Sequence, residues 1–231
     1  MKEQNKDSTF HLVTGGSGSG KSAYAEDCVS RLLADRYGEE KVCPDSNRGA
    51  EKKANAHCVT SLRCVYIATM IPYGEDGKRR VERHRQLRRE KHFETIECYT
   101  GLEYLWLDTA LHDTSRKEAM ATGTVSGERR PETEYVVLLE CMSNLVANEV
   151  FEPSGAGDGT VEAILRGIES LRRQARHLIV VTNEVFSDGV SYDAETMRYL
   201  SYLGAVNQAM AAQADMVTEV VYGIPVTVKT G

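Results

Sequence analysis

Short runs of apolar, often β-branched residues recur along the chain, separated by longer segments whose apolar positions follow a helical spacing. Because these runs are nearly continuous rather than alternating, they predict strands that are buried on both faces, as in a parallel sheet. The alternation of strands with helices indicates βαβ units. The predicted strands cover residues 10–13, 64–68, 135–139 and 178–181, and the predicted helices cover residues 21–36, 76–92, 161–176 and 193–213.

The C-terminal part of the chain has a different pattern. Residues 216–222 and 224–229 are two strand-like runs joined at Gly223, which predicts a hairpin with an antiparallel last strand. The fold class is therefore α/β, with a mostly parallel sheet, helices on both faces and a C-terminal antiparallel hairpin. Three polar stretches break the pattern: insertions are expected at 38–61 and 112–134, and a flexible connector at 152–160.

Composition narrows the class of protein. The chain has 231 residues, 41% hydrophobic and 27% charged, which suits a single globular domain over residues 1–231. A net charge of −6 argues against a surface devoted to nucleic acid. The polar N-terminus and the lack of long apolar runs predict no membrane span and a cytoplasmic protein with reduced thiols. A metal cluster of His57 and Cys58 with the nearby Cys43 and Cys64 is a weak alternative, because paired zinc-ligand spacing is missing.

A glycine-rich motif follows the first predicted strand and precedes the first predicted helix. It matches G-x-x-x-x-G-K-[ST], the phosphate-binding loop, or P-loop, of nucleotide-binding proteins. Its backbone N–H groups and the helix N-terminus would surround phosphate oxygens, with Lys21 on the β- and γ-phosphates and Ser22 on Mg²⁺. A chance Gly/Ser turn is the alternative. The predicted contacts are Gly15, Gly16, Ser17, Gly18, Ser19, Gly20, Lys21 and Ser22.

Polar residues end two of the predicted strands. Glu140 follows residues 135–139, and Thr182-Asn183-Glu184 follows residues 178–181. In open parallel sheets ligands bind beyond the carboxyl ends of the strands, so a carboxylate there should face the P-loop. Glu140 is a candidate to hold a Mg²⁺-bound water, to act as a base or to recognise guanine. Helix caps and turn residues are the alternative for both segments.

A basic segment, residues 78–91, surrounds a histidine. On a helix, Arg80, His84 and Arg88 lie on one face at i, i+4 spacing. Arginines suit a triphosphate, and neighbouring cations should lower the pKa of the histidine and favour the neutral, nucleophilic imidazole. By composition alone a solvated basic face is the simpler interpretation, and a nucleic-acid patch is disfavoured because no aromatic residues interleave.

These motifs together resemble the bifunctional adenosylcobinamide kinase / adenosylcobinamide-phosphate guanylyltransferase family. The combination is specific, whereas the P-loop alone is not. The residues that carry the resemblance are Val13–Gly16, Tyr66–Thr69, Arg80–Arg85, Leu139–Cys141, Val181–Val185 and Gly204–Gln208.

The resemblance implies two reactions: phosphorylation of adenosylcobinamide by ATP or GTP, and transfer of GMP from GTP to the product through a guanylyl-histidine at His84. It also implies a RecA-like fold and trimers in some members. No nucleic-acid partner is expected from the acidic composition, and the residues predicted to hold Mg²⁺ are Ser22 of the P-loop and Glu140 at its strand end. Met70 departs from the small polar residue expected there. Beyond the P-loop, the implied nucleotide contacts are Ala68, Thr69, Met70, Arg85, Gln86, Leu87, Arg88, Glu97 and Glu140.

Two other functions remain open from the sequence. The first is a P-loop kinase of another small alcohol, in which His84 only binds phosphate. The second is a non-enzymatic nucleotide switch or a nucleic-acid-stimulated ATPase. A GTPase switch normally carries an Asn-Lys-x-Asp motif for the base, and the chain has none.

Overall fold

The computed structural model describes residues 8–39, 61–75, 77, 79, 82, 93–111, 133–186, 189–190 and 192–231. Within these residues seven strands form one sheet and four long helices connect or cover them. The strands are β1 Thr9–Thr14, β2 Ser61–Ala68, β3 Glu94–Glu97, β4 Thr133–Glu140, β5 His177–Val181, β6 Met216–Val221 and β7 Ile224–Thr230. The helices are α1 Lys21–Glu39, α2 Met142–Phe151, α3 Thr160–Gln174 and α4 Ala194–Gln213, with 3-10 turns at Leu102–Tyr104 and Gly157–Gly159.

The sheet has the strand order β3-β2-β4-β5-β1-β6-β7. All neighbouring pairs are parallel except β6 and β7, which form the antiparallel hairpin. β1 lies between β5 and β6, with Leu12 opposite Val180 and Val217. This mostly parallel sheet confirms the predicted α/β fold class and its C-terminal antiparallel hairpin.

Both faces of the sheet are buried. In β4, Val137 and Leu139 belong to the core cluster under α2, α3 and α4, whereas Val136 and Leu138 belong to the cluster under α1. All four side chains are fully buried. A strand covered on both faces needs apolar residues at successive positions, which explains why the continuous runs predicted these strands correctly.

The boundaries of some elements differ from the prediction. α1 continues to Glu39, β2 begins at Ser61 and β4 at Thr133, so the ends of both predicted insertions belong to regular elements. Residues 40–60 and 112–132 lie outside the described residues. The same holds for most of the helix predicted at 76–92, of which residues 77, 79 and 82 are described and helical.

The sequence analysis predicts neither β3 nor α2. β3 has four residues and its burial is mixed, so its pattern is too short and too polar to indicate a strand. The connector 152–160, predicted as flexible, contains the turn Gly157–Gly159, and its Ala156 N–H donates to Glu149 Oε2 at 2.8 Å. Among the described helices, none has the length and apolar character needed to cross a bilayer.

Candidate active site

The loop between β1 and α1 requires glycine for two different reasons. Gly15 has φ +154°, and a Cβ there would lie 2.5 Å from the carbonyl oxygen of Val220 in β6. Gly20 has φ +92°, in the left-handed region that side chains disfavour. The loop therefore curls tightly against the end of β6 at the carboxyl edge of the sheet, where ligands of such sheets bind.

Lys21 begins α1 and is held inside this loop. Its side chain is only 9% exposed, and Nζ donates to the carbonyl oxygen of Gly16 at 3.0 Å. Burial lowers the pKa of Lys21, and the nearby Cys141 and Glu140 oppose that shift. A buried ammonium group beside the loop amides attracts an anion, because a phosphate would restore the charge balance that burial disturbs.

A hydroxyl in the same loop also lacks a partner. Within the described residues, Ser19 Oγ is buried and makes no hydrogen bond, and buried hydroxyls of this kind are uncommon in folded proteins. A phosphate oxygen in the loop would satisfy it. The loop thus fits an anionic ligand by its backbone shape, by the charge of Lys21 and by this unpaired hydroxyl.

Glu140 lies where the loop meets the neighbouring strands. It ends β4, in register with Ala68 of β2 and Val181 of β5. Its Oε1 accepts a hydrogen bond from the hydroxyl of Ser22, and its Oε2 accepts one from Tyr66 Oη at 2.9 Å. The structure therefore brings together Ser22 and Glu140, the two residues predicted to hold a metal ion.

The oxygen atoms of this pair fit Mg²⁺. A serine hydroxyl and a carboxylate are hard oxygen donors, and Mg²⁺ in nucleotide sites takes one or two such ligands together with phosphates and waters. In the part of the chain that is described, no group of three or more His, Cys, Asp or Glu residues forms an alternative metal centre. Cys43, His57 and Cys58, the weak metal candidates from the sequence, lie outside it.

The segment Ala68-Thr69-Met70, predicted to contact nucleotide, has a strong structural role. Thr69 is fully buried; its Oγ1 donates to the carbonyl oxygen of Cys141 and accepts from the Cys141 N–H, both at 2.8 Å. The carbonyl oxygen of Ala68 accepts from the Cys98 N–H at 2.9 Å, and Met70 is half-buried. The backbone of Thr69 is used as well: its N–H donates to the carbonyl oxygen of Glu140 at 3.2 Å, and its carbonyl oxygen accepts from Asn148 Nδ2 at 2.8 Å. Thr69 therefore joins the ends of β2 and β4.

The polar residues after β5, Thr182, Asn183 and Glu184, make hydrogen bonds to the loop and to neighbouring helices. Thr182 Oγ1 donates to Asn207 Oδ1 at 2.7 Å, and the Glu184 N–H donates to the carbonyl oxygen of Gly15 at 3.1 Å. Asn183 Nδ2 donates to Ser143 Oγ at 2.5 Å. These contacts connect the segment after β5 to the loop 15–22, to α2 and to α4.

Glu97 lies in a separate cleft of about 480 Å³. Its Oε2 accepts a hydrogen bond from Tyr99 Oη at 2.9 Å, and the cleft is also lined by Tyr104 and Glu152. None of the lining residues belongs to the loop 15–22. His84, Arg85, Gln86, Leu87 and Arg88 lie outside the described residues, so their predicted roles stay predictions.

Comparison with known proteins identifies the family. A model of the family described as cobinamide kinase / cobinamide phosphate guanyltransferase matches residues 47–228. The chain belongs to this family. The match begins after the loop 15–22, so the assignment of that loop rests on its own motif and geometry.

Two curated relatives match over most of their length. The bifunctional adenosylcobalamin biosynthesis protein CobU of Escherichia coli is 30% identical over 94% of this chain and 98% of its own. The protein of the same name from Salmonella typhimurium is 27% identical over the same shares. Among solved structures, the flagellar accessory protein FlaH from Methanocaldococcus jannaschii has a TM-score of 0.39 and 13% identity, covering 96% of this chain and 79% of that one.

One site residue was missed by sequence reasoning although it lies in a recognised motif. Tyr66 is buried in β2, packs edge-on against Phe93, and places its hydroxyl on Glu140. The signal in the sequence is a phenol inside the otherwise apolar run 64–68. Its partner lies 74 residues away, and only the parallel pairing of β2 with β4 brings them together.

Proposed function

We propose that this family member phosphorylates adenosylcobinamide and then transfers GMP from GTP to adenosylcobinamide phosphate, giving adenosylcobinamide-GDP for cobalamin biosynthesis. Two findings support the proposal: membership of the cobinamide kinase / cobinamide phosphate guanyltransferase family and the arrangement of the loop. The observation that carries it is the meeting of Lys21, Ser22 and Glu140 at one edge of the sheet.

In the kinase step the terminal hydroxyl of adenosylcobinamide attacks the γ-phosphorus of a nucleoside triphosphate. The bond between that phosphorus and the β–γ bridging oxygen breaks, the nucleoside diphosphate leaves, and the hydroxyl proton passes to a base. Lys21 neutralises charge on the phosphates, and the loop amides orient them. Mg²⁺, held by Ser22 and Glu140, would add Lewis-acid stabilisation of the same charge.

In the guanylyl step the imidazole of His84 attacks the α-phosphorus of GTP. A nitrogen–phosphorus bond forms while the bond to the β-phosphate oxygen breaks, and pyrophosphate leaves. The phosphate of adenosylcobinamide phosphate then attacks the same phosphorus and releases the imidazole. Imidazole suits this role because it is neutral near pH 7 and is also a good leaving group.

Incubation with α-labelled GTP and Mg²⁺ tests this proposal. We expect label to remain covalently on the wild-type protein, in an adduct that is labile in acid and stable in alkali, as phosphorus–nitrogen bonds are. His84→Ala should lose the adduct and guanylyl transfer while keeping kinase activity, because phosphorylation goes directly from nucleotide to hydroxyl. Peptide mass mapping locates the modified residue.

A matched control is available at the opposite end of the parallel strands, where β5 begins. His177 begins β5, where its Nδ1 lies 2.8 Å from Thr9 Oγ1, so His177→Ala should keep the adduct. Label that persists in His84→Ala, or that maps to Lys21, contradicts the mechanism. If the wild-type protein forms no adduct and phosphorylates another small alcohol, it is the alternative P-loop kinase. Magnesium dependence, trimeric assembly and a cytoplasmic location stay predictions.

A further inference from the structure

The turn between β6 and β7 packs against the loop 15–22. The Gly223 N–H donates to the carbonyl oxygen of Ser19 at 2.8 Å. A Cβ on Gly20 would lie 3.4 Å from Gly223 Cα, and one on Gly15 would collide with Val220 at the end of β6. The hairpin therefore holds the loop by one hydrogen bond and by close backbone contact, and its tip lies next to any phosphate that the loop binds.

The residue at this tip is unusual for its position. Val221 pairs with Ile224, so Tyr222 and Gly223 form a two-residue turn in which both have positive φ, 51° and 80°. Turns of this kind favour Asn-Gly, because both central residues take the left-handed conformation. A bulky residue with positive φ is an outlier, and such strain persists mainly at functional sites. Among the described residues, Tyr222 alone of the non-glycine residues has positive φ.

The ring of Tyr222 has no role in the core. The residue is 95% exposed, and its ring lies in solvent, so packing gives no reason for an aromatic side chain in a strained conformation. Its neighbour Gly223 donates a hydrogen bond to Ser19, so Tyr222 is one residue away from the backbone of the loop. An exposed aromatic face there meets the need of a nucleobase, which loses water contacts and gains a stacking partner.

We propose that Tyr222 is the base-stacking platform of the nucleoside triphosphate held by the loop 15–22. The inference rests on the proposed function, because it assumes that this loop binds the donor nucleotide. Every nucleobase has a π-face, so the platform accepts adenine and guanine alike and leaves discrimination between them to other residues. This fits a kinase step whose donor can be either ATP or GTP.

Tyr222→Asn is the decisive variant. Asparagine suits the left-handed conformation, so the substitution removes the ring while keeping the turn and its hydrogen bond to Ser19. We expect unchanged or higher thermal stability, with GTP and ATP affinities weakened roughly 10- to 100-fold, the range that one lost base–aromatic stack produces. Tyr222→Phe should keep wild-type affinity. Calorimetric titration measures each dissociation constant.

Inorganic tripolyphosphate separates a base contact from support of the loop. It carries the phosphates without a base, so Tyr222→Asn should leave its affinity unchanged. The control Trp106→Ala removes another large aromatic residue, 63% exposed, that follows the turn Leu102–Tyr104 and lies outside the loop. This control should bind GTP, ATP and tripolyphosphate like the wild type.

Each outcome bears on one claim. If Tyr222→Asn loses equal affinity for nucleotide and for tripolyphosphate, Tyr222 supports the loop rather than the base. If its nucleotide affinity is unchanged, Tyr222 is not part of the site. Either result overturns the inference and leaves the proposed function standing. If Tyr222→Asn has a different molecular mass in solution from the wild type, Tyr222 is a contact between subunits, which also overturns the inference. Wild-type protein that binds neither nucleotide nor tripolyphosphate would instead remove the proposed function.

A spectroscopic readout is independent of affinity. Trp106 is the single tryptophan of the chain, so Tyr222→Trp in a Trp106→Phe background reports from the turn alone. Stacking should quench this emission when GTP is added and leave it unchanged with tripolyphosphate. If the fluorescence of this tryptophan does not change at a saturating concentration of GTP, the proposal is contradicted.

Discussion

At the scale of single residues, Glu140 links the start of α1 to β2. It accepts hydrogen bonds from Ser22 and Tyr66, and it is one of the charges near Lys21. Glu140→Gln keeps the size of the side chain but removes its charge and turns one acceptor into a donor. We expect a loss of kinase rate on the order of 10²-fold and a higher Mg²⁺ requirement, measured by steady-state kinetics over a Mg²⁺ titration.

Tyr66→Phe is the matched control for this substitution. It removes one hydrogen bond to Glu140 while keeping the ring against Phe93, so it should cost about tenfold in rate or less. A Glu140→Gln enzyme with wild-type turnover and Mg²⁺ dependence would reduce Glu140 to a structural cap.

The two ends of neighbouring strands also show why residue type alone is a poor guide to role. Glu140 and Thr69 are both polar, both follow buried runs and both were predicted to contact nucleotide. The structure leaves Glu140 at the loop but uses the Thr69 hydroxyl twice on the backbone of Cys141. Which of the two faces a ligand depends on the stagger of β2 and β4, and no local pattern contains that information.

At the scale of elements, Glu149 ties α2 to two loops. The residue is 2% exposed; its Oε1 accepts from the Gly101 N–H at 2.7 Å and its Oε2 from the Ala156 N–H at 2.8 Å. Glu149→Ala leaves both N–H groups without this partner, so we expect a loss of about 2–4 kcal/mol in the free energy of unfolding. Urea denaturation followed by circular dichroism measures it.

Glu162→Ala provides the comparison for an exposed carboxylate. This residue lies in the first turn of α3 and its loss should cost at most about 1 kcal/mol. Equal unfolding free energies for the two variants would show that the buried carboxylate of Glu149 has no special role. A larger loss of unfolding free energy in Glu149→Ala than in Glu162→Ala is the expected result, because only Glu149 holds the N–H groups of Gly101 and Ala156.

At the scale of the whole molecule, the loop 15–22 joins parts of the chain that are distant in sequence. β1 leads into it, α1 leaves it, Glu184 donates to Gly15, and Gly223 of the hairpin donates to Ser19. A ligand in the loop should therefore stabilise the entire fold. At a GTP concentration 100 times the dissociation constant, we expect about 2.7 kcal/mol of added stability, or an increase of roughly 5–10 °C in Tm.

Thermal denaturation with and without Mg-GTP measures this increase. Lys21→Ala should fold, lose most of the increase and lose kinase activity, since the ammonium group that balances phosphate charge is gone. A GTP-dependent shift of wild-type size in Lys21→Ala would place the nucleotide outside the loop.

The sequence by itself determined the central strands, the P-loop and the family. Short, β-branched apolar runs are typical of strands that are buried on both faces, and a glycine-rich motif of this spacing between a strand and a helix is typical of phosphate binding. Only the tertiary structure decided which residues meet: Tyr66 with Glu140, Glu149 with Gly101 and Ala156, and Gly223 with Ser19 of the loop. The physical reason is that such contacts depend on strand order, register and turn geometry, which arise from the packing of the whole sheet.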